Sequence, residues 1–575
     1  MSRDRRSSCK AGRWGLLAIL ALAACLNIYR LGAGSLWDQD ETRYAEIAAE
    51  IVQTGDPITL HANGEPWYVH PPFYMWLVAA TGRVMGFTEF SVRLWSALFS
   101  LVGVYATFLL GRAFFGERTG VAAAAILAVT LQYLIQSRLA VFDTVLVAWM
   151  LLAFYAFYQG YRRGSRGDYM RFFLFAGLAT LTKGLVGIVL PGLIIAGFVT
   201  LRGAWGRWRE VPWTAGLVLY TTVGLSWYGV ETILHGRPFA ASALGYYTFG
   251  RFFGIVENQA NPWWLYVPTL ALGGFPWSVF WPAAAAWHLR RARADDASLL
   301  VLLACGGTFL FYTAAATRLP NYILPVYPFA AIGVAALWVP VIERRQIDRT
   351  VGVPLGWLVV LMGILFLAVG WYLRSRYPEA YRAHADVLLL PAAAIAVGIG
   401  TALALAVRGH AFSAFVALGA TMAVIWIGVL TWVVPSVETR KPMKFLALAI
   451  KSTLRSDDRI IAVGSDVPQS LVFYTGHRVE RAERPQDLRA FVCEPGRVFV
   501  VLNAATMDAL GKTLPRPLVP FAARSDVRVL VKSAADSCGA AGTRTERARH
   551  ERAIDVYDPT LLGGSIARIR EPPLR

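Results

Sequence analysis

Residues 14–31 read WGLLAILALAACLNIYRL and residues 36–46 read LWDQDETRYAE. The first stretch is long and apolar enough to cross a bilayer as one helix. The second sets four carboxylates, Asp38, Asp40, Glu41 and Glu46, just beyond it. A spanning run that opens directly into dense negative charge predicts a membrane protein with functional groups at the lip of the bilayer.

The rest of the chain repeats the first half of that pattern. Of 575 residues, 56% are hydrophobic and 16% charged, with 20 Trp, 31 Phe and 23 Tyr; the mean hydropathy is +0.47. No single globular core hides so much apolar surface. Further apolar runs fall at 91–112, 119–136, 140–161, 170–182, 184–201, 212–230, 263–287, 297–316, 321–341, 353–373, 387–407 and 411–433. With the first, about thirteen spans are expected from their length, although the two flanking Thr182-Lys183-Gly184 are short enough to form one broken helix. The expected fold class is a polytopic α-helical membrane protein.

A net charge of +19 does not by itself point to nucleic acid, because most of it lies in short loops. Alternate loops are arginine-dense: the N-terminus, 111–118, 161–171, 202–210, 289–296, 343–349 and 408–410. By the positive-inside rule this set faces the cytoplasm. Loops 31–90, 137–139, 182–184, 231–262, 317–320 and 374–386 then face outward, as does the C-terminus. LAAC at 22–25 has the look of a lipoprotein cleavage site, but a multi-span chain is expected to keep its first helix uncleaved. The cysteines, Cys9, Cys25, Cys305, Cys493 and Cys538, show no metal-ligand spacing. A Cys493–Cys538 disulfide is an open alternative for an extracytoplasmic region.

The composition changes near residue 438. DRIIAVGS, SLVFYTG and GRVFVVLN read as short β-rich runs among helical stretches such as 441–453, so residues 438–575 are expected to form a small outer α/β domain after a transmembrane domain over 1–437. The tail after Gly539 reads as weakly structured.

The first outer loop, 32–90, is too long for a bare connection. Asp38 or Asp40 suits a helix cap, Tyr44, Ile47, Ala48 and Ile51 recur on one helical face, and Gly55-Asp56-Pro57 ends the pattern. A second helix is expected to start near HPPFYMWL, giving two helices at the membrane surface. Acids at a helix start are often only caps. Here, however, the same face also carries His70, Arg138, Lys183, Arg251 and Arg318, with Asp143 at the top of a span. Each basic residue alone reads as a snorkelling anchor. Together they suggest an anionic ligand held beside carboxylates.

That combination suits one reaction class. Outside the cytosol an activated sugar must arrive on a lipid carrier, such as a polyprenyl phosphate. Its leaving phosphate needs Arg, Lys or His, and the acceptor needs a carboxylate to activate or orient it. Asp40 is the leading candidate, supported by Asp143, with Asp38 and Arg138 placed near the acceptor. Asp38, Asp40 and Glu41 are also suitable ligands for a divalent metal, but no obligatory cofactor is expected, because nearby cations can neutralise the phosphate.

These residues resemble the GT-C glycosyltransferases, in the branch containing bacterial aminoarabinose transferases of lipid A and related protein mannosyltransferases. The stretches carrying the resemblance are WDQDETRYAEIAAEIVQTGDPITLHANGEPWYVHPPFYMWL, SRLAVFDTVLVAWM, GLATLTKGLVGIVLP, NPWWLYVPTLALGGFPWSVFWP and ATRLPNYILPVYPF, spread over residues 36–330. The resemblance implies thirteen spans, two juxtamembrane helices, a periplasmic α/β domain and inverting transfer in a bacterial inner membrane. It implies Asp40, with Glu41 beside it, as the essential carboxylate and Asp143 as a second acidic position. Arg251, Tyr322 and His70 would contact the donor phosphate. One departure is that aminoarabinose transferases carry Glu-Lys where this chain has Val69-His70. Losing that carboxylate weakens the case for an amino sugar, and histidine there predicts pH-sensitive phosphate binding. The implied partners are a polyprenyl-phosphate sugar, a lipid, glycan or protein acceptor, and membrane lipids, with no nucleic acid. The rival readings are a transporter or flippase, disfavoured because the spans are nearly free of charge, and a ligase or polymerase of lipid-linked oligosaccharides.

Overall fold

Apolar sequence becomes helix through most of the first 438 residues of the computed structural model, which describes residues 2–255, 261–376, 378–438, 441–464, 467–484, 487–510 and 518–534. The chain separates into two compact units, Met1–Thr439 and Arg440–Arg575.

In the first unit, α1 (Ser2–Ile28) leads into the acidic segment and α2 (Asp40–Thr54). A two-stranded hairpin follows, β1 (His61–Ala62) with β2 (Glu65–Pro66). Next come α3 (Phe73–Met85), α4 (Glu89–Phe115), α5 (Glu117–Ala128), α6 (Leu131–Ser137), α7 (Asp143–Arg163), α8 (Arg166–Lys183), α9 (Val186–Arg202), α10 (Trp213–Gly224) and α11 (Ser226–Ala240).

Among the described residues five helices are long and apolar enough to cross a membrane, or seven if two pairs bent by 66° and 55° each count once. Four shorter apolar helices accompany them. The expected span at 263–287 is not continuous: Gly273-Gly274 and Pro276 divide it into short helical pieces. The stretches flanking Lys183-Gly184 are two helices rather than one broken helix. Gly184 has φ +94°, and Gly187 lies so close to Ala179 and Thr180 that a Cβ there would clash with backbone, so α9 folds back along α8.

One extensive apolar cluster buries Phe154, Phe198, Phe280, Phe329 and Trp338, and smaller clusters gather around Trp227 and Phe239 and around Phe173 and Tyr220. Outside them, Leu193, Val218, Ile233 and Leu310 stay exposed. Apolar side chains on outer helix faces, with backbone groups bonded within the helices, suit hydrocarbon as solvent.

The acidic segment starts α2 differently from the expectation. Neither Asp38 nor Asp40 is the cap: Gln39 holds that position without a side-chain cap bond. Asp38 instead accepts from the Thr42 hydroxyl at 3.0 Å. Asp40 and Glu41 lie in the first turn, where negative charge favours the helix dipole. Gly55 closes the helix in a left-handed conformation. Tyr44, Ile47 and Ala48 are buried on one face.

The second unit holds a five-stranded sheet in the order β4-β3-β5-β7-β6. Its strands are β3 (Arg459–Val463), β4 (Val479–Ala482), β5 (Val498–Asn503), β6 (Val519–Arg524) and β7 (Val527–Lys532). β3 runs parallel to β4 and β5, whereas β7 is antiparallel to both β5 and β6. The two-residue period of β5 sends Phe499 and Val501 into one apolar layer and Val498, Val500 and Leu502 into the other. SLVFYTG, expected as β-rich, is helix Gln469–Thr475. Pro468 precedes it and a left-handed Gly476 ends it, so both helix boundaries are set by chain chemistry. Cys493 is disulfide-bonded; Cys538 and the tail after Gly539 lie outside the described residues.

Candidate active site

The carboxylates of DQDE diverge as soon as the chain folds. Glu41 is 2% exposed and turns inward. Its Oε1 accepts from Arg93 Nε at 2.8 Å and from the Ala140 amide at 2.6 Å, while Oε2 accepts from Arg93 Nη2 and the Trp37 amide, each at 2.9 Å. Arg93 also donates to the carbonyls of Leu31, Gly34 and Ser35. This fork ties the acidic loop to α4. Glu41 therefore anchors the loop and leaves no oxygen for substrate, a correction to its expected catalytic place. Arg93 went unnoticed in the sequence, where the only signal was a lone arginine in the first turn of an apolar helix.

Asp40 faces the other way and its side chain is reached by solvent. Even so, burial raises its carboxyl above the ordinary aspartate value. Arg43 opposes that shift most strongly, Asp143 adds to it, and Lys183 and Arg251 pull against it. A group that is open to water yet surrounded by protein and by four other charges lines a crevice. Arg43, another residue the sequence reading passed over, lay in plain view inside DETRYAE.

Asp143 begins α7 and Lys183 ends α8. Lys183 Nζ donates to Asp143 Oδ1 at 2.5 Å, and Asn321 Nδ2 donates to Asp143 Oδ2 at 3.1 Å. The same ammonium sits 4.7 Å from the Tyr322 ring centroid and 5.1 Å from that of Phe142, within cation–π range. Arg251 Nη1 donates to the Tyr322 hydroxyl at 3.2 Å. Four segments distant in sequence thus converge on one aromatic-floored patch.

His70 packs against Phe142 at 4.7 Å and Trp67 at 5.8 Å between ring centroids. Burial holds its pKa well below the ordinary histidine value, helped by the positive charges of Arg251, Lys183 and Arg43. It is therefore neutral near pH 7. These surroundings run against the partial charge expected near neutrality and favour the neutral imidazole, which offers one N–H.

Two further basic residues anchor backbone. Arg138 donates to the carbonyls of Leu26, Asn27 and Arg30, so it caps the C-terminal end of α1 and does not meet an acceptor. Arg318 donates to the carbonyls of Thr313 and Asn261, and Asn261 returns a bond to the Arg318 carbonyl. Through Nε and Nη1 it ties the last turn of the helix Asp296–Ala314 to the segment at Asn261, a structural part not expected from the sequence.

Asp38, Asp40 and Glu41 do not converge as metal ligands. Glu41 is filled by N–H donors, Asp38 accepts from Thr42, and among the described residues no group of three His, Cys, Asp or Glu comes together to hold a metal.

Comparison with known proteins places this geometry in context. Residues 69–227 match the family described as dolichyl-phosphate-mannose-protein mannosyltransferase. An undecaprenyl phosphate-α-4-amino-4-deoxy-L-arabinose arabinosyl transferase of Pseudomonas aeruginosa is 29% identical over 384 residues, covering 64% of this chain and 66% of that protein. A protein of the same name from Shewanella sediminis is 27% identical over 470 residues, covering 78% and 81%. The match spans just under two thirds of the Pseudomonas relative's length. The crystal structure of ArnT from Cupriavidus metallidurans bound to undecaprenyl phosphate has the same fold. Its TM-score is 0.78 at 22% identity, covering 90% of this chain and 98% of that one. The chain is aminoarabinose transferase-like in sequence, and its fold is the polytopic α-helical GT-C type.

Proposed function

We propose that this GT-C-fold chain is a glycosyltransferase that moves a sugar from a polyprenyl phosphate to an envelope acceptor, with inversion at the sugar carbon. The observation that carries the reading is the shared electrostatic neighbourhood of Asp40, Asp143, Arg43, Lys183 and Arg251 beside Tyr322. The names of the relatives support the donor class.

In this reading the acceptor oxygen forms a bond to the anomeric carbon as the bond from that carbon to the phosphate oxygen breaks. Asp40 receives the proton of an acceptor hydroxyl, or orients an acceptor that is already ionised. Its raised pKa brings the base nearer the working pH, where general-base catalysis is most effective. The electron pair leaves with the phosphate, whose charge is met by Arg251, the Tyr322 hydroxyl and the nearby cations. Asp143 and Lys183 act as a buried pair that holds Asn321 and the Tyr322 ring in place. His70 contributes a neutral hydrogen bond. No metal is required in this scheme, because fixed cations supply the neutralisation. Addition of EDTA tests that point directly.

The topology proposed for this activity has thirteen spans, a cytoplasmic N-terminus, and both the crevice and the α/β unit on the periplasmic face of a bacterial inner membrane. The alternation of arginine-rich loops supports that orientation.

The test supplies membranes containing wild type or Asp40→Asn with labelled polyprenyl-phosphate sugars. Lipid, glycan and protein fractions are then analysed separately by mass spectrometry. Label entering one fraction with wild type alone supports the reading and identifies the acceptor class. Equal transfer by the variant would return Asp40 to a purely structural part.

A further inference from the structure

Helix α2 presents two glutamates one turn apart, and the hairpin beside it offers them two consecutive amides. Glu46, 4% exposed, accepts from the Asn63 N–H at 2.6 Å through Oε1. Glu50 accepts from the Gly64 N–H at 2.8 Å. Asn63 and Gly64 both have positive φ, 55° and 77°, as a tight two-residue hairpin turn requires. The turn thus directs both amides at the acids.

Two ionised carboxylates at this spacing repel each other, and Glu46 Oε2 has no hydrogen-bond partner among the described residues. One proton lying between the two acids answers both difficulties, supplying the missing donor and removing one charge. Burial first and the Glu50 carboxyl second push the Glu46 pKa up to about 9, against the pull of the Asn63 amide and Arg43. The groups facing Glu46 are thus Arg43 and Glu50 from α2 and the turn amide from the hairpin. α3 meets α2 through the uncharged ring of Tyr74 against Tyr44.

The hairpin leads straight into the crevice. The Trp67 N–H returns to the Leu60 carbonyl at 2.7 Å. The Trp67 ring then meets Tyr44 at 6.2 Å and His70 at 5.8 Å, and His70 reaches Phe142, the residue before Asp143. Where the turn sits therefore determines where Trp67 and His70 stand.

We propose that Glu46 and Glu50 are positioning residues: sharing one proton, they clasp the Asn63–Gly64 turn and so hold Trp67 and His70 against the donor pocket. The second half of this inference rests on the crevice being a polyprenyl-phosphate site; the clasp itself does not. An opened clasp has ordinary carboxylates, whereas the closed one binds its proton more tightly. Closure therefore weakens as pH rises from the ordinary carboxylate range toward 9, by up to tenfold in the closed-to-open ratio per pH unit.

The experiment uses the full chain in nanodiscs between pH 6 and 9. Hydrogen–deuterium exchange of peptides covering residues 58–68 is corrected for intrinsic rates, and binding of a polyprenyl phosphate is titrated in parallel. In wild type, protection should fall and Kd should rise with pH. In Glu46→Gln the carboxamide still accepts from Asn63 and gives Glu50 a permanent donor. Both profiles should flatten, with Kd at pH 7 within about threefold of wild type. Glu46→Ala should lose protection at every pH and raise Kd about tenfold. A wild-type pH slope of protection in Glu46→Gln overturns the clasp, and unprotected turn amides with unchanged Kd in Glu46→Ala overturn the positioning. If wild type binds no polyprenyl phosphate, the donor reading and the positioning of a donor pocket fail together, while the exchange profiles still decide the clasp.

Discussion

Lys183 Nζ lies 2.5 Å from Asp143 Oδ1, with both side chains more than nine-tenths buried. The two residues are 40 positions apart, and Asn321, a further 138 beyond Lys183, completes the carboxylate's bonds. Helices α7 and α8 thus meet at a charge pair that neither could bury alone.

Removing one member should leave the other charge buried and unpaired. Lys183→Met is expected to reduce stability by about 3–5 kcal/mol. The double variant Asp143→Asn/Lys183→Met should recover much of that loss without recovering transfer. Thermal unfolding in detergent, measured beside transfer rates, checks this; a double variant no more stable than Lys183→Met would refute the pairing.

Asp40→Asn keeps shape and first-turn polarity but cannot accept a proton. Insertion and thermal stability should match wild type, while transfer falls by at least about a hundredfold, the scale of lost acid–base help.

The Glu41–Arg93 fork should behave in the opposite way. Glu41→Ala strands a buried guanidinium, and about 3–5 kcal/mol of stability should be lost. Arg93→Met/Glu41→Leu should regain stability, and its activity per folded molecule should exceed that of Asp40→Asn. If the pair variant were stable but as inactive as Asp40→Asn, Glu41 would belong with the catalytic groups.

If Arg251 meets the donor phosphate as proposed, Arg251→Ala removes a charge-assisted contact worth about 1.5–3 kcal/mol, so KM for the donor should rise about 10- to 100-fold. Tyr322→Phe loses only the hydroxyl that accepts from Arg251 and should raise KM about fivefold. Donor titration at fixed acceptor distinguishes the two, and an effect confined to acceptor KM would move both residues to the other substrate.

Burial and three nearby cations hold His70 neutral. Below about pH 6.5 the unfolded chain binds a proton that the folded site refuses. Stability should therefore decline as pH falls from about 6.5 toward the depressed value, by at most about 1.4 kcal/mol per pH unit. His70→Gln should remove that acid-side decline while leaving the shape of donor binding above pH 6.5 unchanged. Unfolding midpoints of both proteins at pH 7, 6 and 5 test the sign, and parallel curves would count against it.

Much of the site was legible residue by residue. The acids of DQDE, Asp143, Lys183 and Arg251 stand out because charge at the end of an apolar run is expensive and local, whereas the uncharged Tyr322 entered only through the family resemblance. What each does was less legible. Asp40 and Glu41 are neighbours with the same functional group, yet consecutive helical residues point about 100° apart, and this turn sends one to solvent and the other to Arg93. Arg138 and Arg318 look like anion binders in a string of letters, but each donates to backbone carbonyls, Arg138 at the end of α1 and Arg318 at Thr313 and Asn261. Asn321 carries no charge and so gave no signal.

The order and length of the apolar runs already specified a many-helix membrane chain with an acidic segment just after its first run, because transfer free energy depends on composition and length. Which charges face a ligand and which hold the scaffold depends on helix rotation and on partners 40 to 178 positions away. Those are properties of packing, where a few ångströms separate a filled carboxylate from an open one, and only the tertiary structure decides them.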